Sequence, residues 1–134
     1  MTAFSLDPRL DADTHSVTEF SLCSVRLMDD ARWPWLILVP RADGAEELFD
    51  LTPQRRSEAM LEACLAGEKL KAISNCEKIN IAAIGNVVRQ LHIHVVARIA
   101  GDENWPGPVW GYGERVPYDA ATQAGLVAHL RAVL

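Results

Sequence analysis

Gln90-Leu91-His92-Ile93-His94-Val95-Val96 places two histidines at i and i+2 within an apolar, β-branched run. β-branched residues favour extended backbone, and successive side chains of a strand point to opposite faces. Gln90, His92, His94 and Val96 therefore share one face, and Leu91, Ile93, Val95 and Ala97 share the other. The second face suits a core. The first carries imidazoles, whose polar atoms must find partners or stay near water. The pattern predicts a strand from about Gln90 to Ile99 whose histidine face borders a hollow open to solvent.

Working outward, Lys78 to Ile84 alternates with Ile79, Ile81 and Ala83 on one side, and Gly85-Asn86 follows as a turn. Thr52-Pro53 is a helix start, an N-cap hydroxyl followed by proline at the first helical position. That helix is expected to run to about Ile73, with Met60, Ala63, Cys64, Gly67 and Leu70 as its apolar stripe. Glycine in an exposed helix costs about 1 kcal/mol against alanine, and close approach to a sheet would offset this at Gly67.

From Phe20 to Met28 the residues alternate again, Cys23, Val25 and Leu27 on one side. Asp29-Asp30-Ala31-Arg32 is a polar turn, and Trp35 to Val39 is a continuous apolar run stopped by Pro40, so the pair reads as a hairpin with a central second strand. Residues 1–18 are polar and read as a loose arm or short structured lead-in. After Ala100 glycine, proline and tryptophan dominate, and a last helix is expected from Ala120 to Val133. Adjacent hairpins, one long helix and no βαβ repeat predict an α+β fold with a mostly antiparallel sheet of about five strands. A single domain over 1–134 is expected, with its core at about 20–99 and a tail at 100–134.

The chain has 134 residues and a net charge of −5, with no basic cluster beyond Arg55-Arg56, which excludes a nucleic-acid backbone as partner. A small anion held by backbone N–H groups and one or two cations is compatible with that charge. No apolar run reaches the ~20 residues needed to cross a bilayer, so no membrane partner is expected. Met1 to Ser16 lacks the basic and apolar regions of a secretory signal. Cys23, Cys64 and Cys76, odd in number and without C-x-x-C spacing, read as buried thiols of a reducing compartment, and a cytoplasmic location is expected. A hydrophobic content of 49% with four tryptophans favours a homo-oligomer.

The segment Gly85-Asn86-Val87-Val88-Arg89-Gln90-Leu91-His92-Ile93-His94-Val95-Val96 resembles the motif of the histidine triad (HIT) family, His-φ-His-φ-His-φ-φ with φ apolar, and Gln90 stands in place of the first histidine. The order of hairpin, Pro-terminated strand, long helix, hairpin and motif strand matches the family from about Phe20 to Arg98. The tail Trp105 to Gly111 is similar to that of a bacterial subgroup labelled diadenosine tetraphosphate hydrolase-like.

The resemblance implies a nucleotide-binding homodimer that hydrolyses or transfers nucleoside monophosphate groups, cleaving at the α-phosphorus of dinucleoside polyphosphates or nucleoside phosphoramidates. It makes His92 the nucleophile and His94 the contact to phosphate oxygens and leaving group. It sets Asp29 against the ribose and Asn86 near phosphate, and it marks Val87 as a departure where relatives carry Ser or Thr. No metal cofactor is implied for the covalent step.

Imidazole, with a reference pKa of ~6.5, is competent for this role without special tuning. To present one lone pair, His92 should donate its other ring N–H to a backbone carbonyl. His94, with its Cβ roughly 6.6 Å away by strand rise, can flank the same phosphate, stabilising an oxygen or protonating the departing group. Gln90 is expected on the substrate, but an amide cannot relay a proton near neutral pH.

Other readings stay open from sequence. His-x-His can supply two metal ligands, with Asp102, Glu103, His129 or His15 as further donors, none at a telling spacing. Weak chemistry at Gln90 also suits a non-catalytic nucleotide sensor. Arg98, on the histidine face, reads as a phosphate cation or as an ordinary surface cation. Trp105 and Trp110 read as base-stacking groups or as pins for the tail, and Trp33 and Trp35 as structural.

Overall fold

Residues that are apolar at every position need cover on both faces, and the run after the polar turn finds it. In a computed structural model that describes residues 4–134, Trp35–Pro40 is the third strand (β3), with all six residues buried. Before it come a short helix α1 (Pro8–Asp13) and strands β1 (Thr14–Glu19) and β2 (Cys23–Met28). After it come a single 3₁₀ turn (Leu48–Asp50), helix α2 (Pro53–Ser74), strands β4 (Lys78–Ala82) and β5 (Ile93–Arg98), and helix α3 (Ala120–Val133). The sheet order is β1-β2-β3-β5-β4, antiparallel throughout. This is the expected α+β fold, with β3 at its centre. No helix among the described residues is long and apolar enough to cross a membrane.

Of the two readings of residues 1–18, the structured lead-in is the one found: from residue 4 onward the segment supplies both α1 and the edge strand β1. Asp7 caps α1 by accepting the Arg9 N–H at 2.8 Å, and Pro8 opens it. β1 escaped the pattern because Thr14-His-Ser-Val-Thr-Glu buries only Thr14 and Val17, which leaves no run of apolar residues.

Helix α2 starts where expected, Thr52 accepting the Arg55 N–H at 3.3 Å, and it ends at Asn75 in the left-handed conformation. Its buried stripe is Ala59, Glu62, Ala63, Ala66, Gly67 and Leu70; Met60 and Cys64, expected inside, are exposed. The small residues let the helix lie close to β5, and Met60 and Leu61 are turned away. Glu62 is a buried carboxylate that accepts the N–H groups of Leu22 and Cys23, both at 2.8 Å, and so ties the β1–β2 hairpin to α2. Burial and this neighbouring carboxylate push the Cys23 thiol well above its ordinary range, so it is an inert core group. Cys64 is exposed and Cys76 half-buried, so only one of the three thiols sits in the core.

Two apolar clusters sandwich the sheet. Val25, Leu27, Leu36, Leu38, Ile93, Val95 and Ala97 face α2 and α3. On the opposite side, Ile37, Val39 and Val96 pack with Trp33, Trp35, Val109 and Leu10 of α1. The histidine face, expected to be polar and open, is thus mostly a second core.

A Cβ built on Gly67 would lie 3.4 Å from Ile79 Cγ2 and 3.6 Å from Val95 Cγ1, ordinary contact distances. The close approach therefore tolerates a methyl group. Gly67→Ala is expected to raise stability by ~0.5–1 kcal/mol by removing the glycine's entropy in the unfolded chain, measurable as a higher urea midpoint at unchanged slope.

Candidate active site

β-strand alternation carries His92 and His94 to the same side of the sheet, where they line a cleft of about 210 Å³ with Leu10, Asp13, Met28, Asn86, Val88 and Trp110. His92 lies one residue before β5, so the paired strand is shorter than the expected 90–99, but the alternation persists through it. The rings are 4.9 Å apart, centroid to centroid, at 64°. Both are largely buried, at 7% and 5% exposure.

Their tautomers follow from their partners. His92 Nδ1 is 2.7 Å from the carbonyl oxygen of Gln90, which only accepts, so the proton sits on Nδ1 and Nε2 carries the free lone pair. This is the orientation expected of a nucleophile. His94 is held the other way: the Trp35 indole N–H, which only donates, reaches His94 Nδ1 at 3.1 Å, leaving the proton on Nε2. Trp35 and Trp110 enclose the His94 ring with centroids at 5.7 and 5.4 Å, and Trp110 meets Trp35 edge-on at 6.3 Å. Burial in this cage, reinforced by His92, pushes the His94 pKa down to about 3.

His94 is accordingly a neutral hydrogen-bond donor at pH 7, suited to a phosphate oxygen. Of the two roles open from sequence, contact with a phosphate oxygen is the one that a neutral N–H donor suits.

Gln90 does not reach into the cleft. Its side-chain Nε2 donates to the Ser5 carbonyl and its Oε1 accepts the Asp7 N–H, both at 2.8 Å. Asp29 is also turned away: it accepts the Tyr118 N–H at 3.0 Å and pairs with His15 Nε2 at 3.2 Å. The Asp29 N–H bonds the Asp13 carbonyl at 2.9 Å, and Asp13, its neighbour across the strand pair, lines the cleft instead. Asn86 lines the cleft, beside Gly85, whose φ of +69° makes the turn.

Arg98 does not line the cleft. It is 1% exposed, gives Nε and Nη2 to the two Asp102 oxygens at 2.9 and 2.8 Å, and gives Nη1 to the Gly107 carbonyl at 2.8 Å. The guanidinium holds the Asp102 carboxyl below the usual carboxylate range. These bonds anchor the tail, which then returns Val109 to the core and Trp110 to His94. Trp105 stacks near Arg98 and stays off the cleft, whereas the Trp110 indole N–H is buried there with no hydrogen-bond partner among the described residues.

Trp35, read as structural, proves to be the group that sets the tautomer of His94. The pairing Trp35↔Val96 places it diagonally across from that ring, a register that the one-dimensional pattern does not specify. Of the possible metal donors, Asp102 is committed to Arg98 and His15 to Asp29. Among the described residues no three His, Cys, Asp or Glu side chains gather as a metal site.

A family model described as the HIT domain matches residues 9–101. A histidine triad protein from Sinorhizobium meliloti superposes with a TM-score of 0.95 at 46% identity, covering 98% of this chain and 97% of that one. One from Marinobacter aquaeolei superposes with a TM-score of 0.96 at 43% identity, covering 99% and 97%. One from Bradyrhizobium japonicum gives 0.95 at 41% identity, covering 98% of each. No curated protein matches the chain.

Because the buried, neutral His94 must charge when the protein unfolds, the unfolded state binds more protons between about pH 3 and the ordinary histidine value of 6.5. Its contribution to stability is complete above pH 6.5 and falls by about 1.4 kcal/mol for each pH unit below it. Urea unfolding at pH 7 and pH 5 should show this loss in the wild type, and His94→Asn should show roughly 2 kcal/mol less of it.

Proposed function

We propose a function for this protein from its family: the chain belongs to the HIT domain family, and its site supports a nucleotidyl hydrolase or transferase working through a phosphohistidine at His92. The observation that carries this reading is the opposite protonation of two adjacent rings, His92 with a free Nε2 lone pair and His94 with a free Nε2 proton, on one cleft.

Nε2 of His92 attacks the α-phosphorus, forming the P–N bond as the P–O bond to the leaving group breaks and its electron pair departs with oxygen. His94 Nε2–H holds a non-bridging oxygen as charge builds there. Water then attacks phosphorus, the P–N pair returns to His92, and the water's proton leaves to solvent. Two modest barriers replace a large one.

Leaving-group chemistry selects among substrates. With His94 neutral and the Gln90 amide unable to release a proton, the favoured leaving group departs as a stable anion. A terminal phosphate, with a second pKa near ~6, does so unaided, whereas the amine of a phosphoramidate must be protonated first. This favours dinucleoside polyphosphates, in line with the diadenosine tetraphosphate hydrolase-like resemblance of the tail. A cleft of about 210 Å³ is smaller than the ~300–1,000 Å³ common for whole small-molecule sites, which suits one nucleoside with the remaining phosphates outside.

The same reading makes the chain one domain, active without a metal cofactor, in the reducing cytoplasm that its unpaired cysteines suit. It also makes the protein a homodimer. The edge strand β4 with its exposed Ile81, and the exposed Met60, Leu61 and Leu65 of α2, are the apolar surfaces that a second copy would cover.

Incubation with diadenosine polyphosphates and adenosine phosphoramidates in EDTA tests the chemistry. Wild type is expected to form an acid-labile nucleotidyl-histidine and to cleave the polyphosphate about 10²-fold faster than the phosphoramidate. His92→Ala should lose roughly 10³-fold or more in kcat/KM and form no adduct. Nucleotide binding without any adduct in the wild type would instead support the sensor reading. In sedimentation equilibrium the wild type is expected at twice the 14.8 kDa chain mass, and Ile81→Lys at that mass.

A further inference from the structure

The residue at the first motif position does not line the cleft that holds both histidines, and its amide is bonded to the N-terminal segment. Gln90 Nε2 donates to the Ser5 carbonyl and Oε1 accepts the Asp7 N–H, both at 2.8 Å. One planar amide thus satisfies a backbone acceptor and a backbone donor two residues apart, and those partners dictate which way the amide faces. The diverging ring nitrogens of a histidine do not present a donor and an acceptor side by side in this way.

The clamped segment lies against the histidine face. Phe4 and Leu6 pack on the second apolar cluster, and Leu10 is 4% exposed within it. Fixing Asp7 also fixes the start of α1, since its carboxylate caps that helix. The helix then delivers Leu10 and Asp13 to the cleft wall, with Asp13 tethered by Arg115 at 3.2 Å. Gln90 meanwhile holds the His92 ring through its own carbonyl, at 2.7 Å, a bond that any residue at position 90 retains.

We propose that Gln90 is a positioning residue: it clamps the strap Phe4–Asp13 over the histidine face and makes Leu10 and Asp13 a fixed wall that selects a single nucleoside end. Leu10 offers the apolar surface for a base. Asp13 offers a carboxylate acceptor for sugar hydroxyls. The proposal rests on the nucleotide-cleaving reading above. It assigns the exchange of histidine for glutamine a gain in substrate positioning, not merely a loss of acid-base chemistry.

The test combines hydrogen exchange, resolved at the Asp7 amide, with adenosine monophosphate binding by calorimetry and steady-state kinetics on diadenosine tetraphosphate. Gln90→Ala and Gln90→His are each expected to speed exchange at Asp7 by at least ~10-fold and to weaken adenosine monophosphate binding by a similar factor. KM should rise while kcat stays within about threefold, because the carbonyl that orients His92 remains.

A second pair of variants reaches the same bond from the strap. Asp7 has φ −55°, a value that proline shares, so Asp7→Pro removes the N–H together with the cap, and Asp7→Ala is the control that loses only the cap. Weaker binding in Asp7→Pro than in Asp7→Ala supports the clamp. Exchange at Asp7 unchanged in Gln90→Ala, or faster exchange with undiminished nucleotide affinity, would overturn it. A wild type that binds no adenosine monophosphate sinks the nucleotide reading and this proposal together, and the exchange data separate that failure from failure of the clamp alone.

Discussion

The pairing of β3 with β5 at the centre of the sheet, both strands buried on both faces, is the constraint from which the site follows. Trp35↔Val96 and Ile37↔His94 are cross-strand partners, so the motif histidines emerge into a layer built of tryptophan and aliphatic side chains. A polar ring in such a layer must find a hydrogen-bond partner. Each histidine does so with a single partner, and the two partners have opposite hydrogen-bonding character. The difference in protonation between adjacent rings is therefore imposed by packing before any ligand arrives.

Cover over this face comes from two segments that are not part of the sheet's hairpins. The N-terminal strap is held by Gln90, and the tail is held by Arg98 through Asp102 and the carbonyl of Gly107. Both anchors stand on the motif strand or its lead-in, and both project to the histidine side. The run 90–98 therefore carries the two cleft histidines and also the fastenings of the walls around them. Charged or polar side chains that a linear reading assigns to substrate, Gln90 and Arg98, instead hold the walls, and the apolar Leu10 and Trp110 line the cleft.

Much of the architecture was legible without coordinates. The Thr52-Pro53 cap, the Pro40 stop, the Gly85-Asn86 turn and the alternation of 91, 93, 95 and 97 against 92, 94 and 96 each reflect a local rule. These rules act over a few residues, so α2, β3 and β5 were readable. β1 was not, because an edge strand with two buried residues has no apolar period to detect. The α2 stripe was misplaced onto Met60 and Cys64 because a helix that approaches a sheet closely selects for small side chains, and hydrophobicity alone does not rank alanine above methionine.

By itself, the sequence determined that two imidazoles share one side of a strand, since alternation is a property of the chain's own geometry. Only the tertiary structure decided that Trp35 takes the Nδ1 lone pair of His94, that Asp13 and not Asp29 faces the cleft, and that Gln90 and Arg98 are fastenings. Those outcomes depend on register and on contacts between residues far apart along the chain. Gln90 with Ser5 and Asp7, and Trp35 with His94, are brought together by burial of apolar surface that no short window of sequence contains.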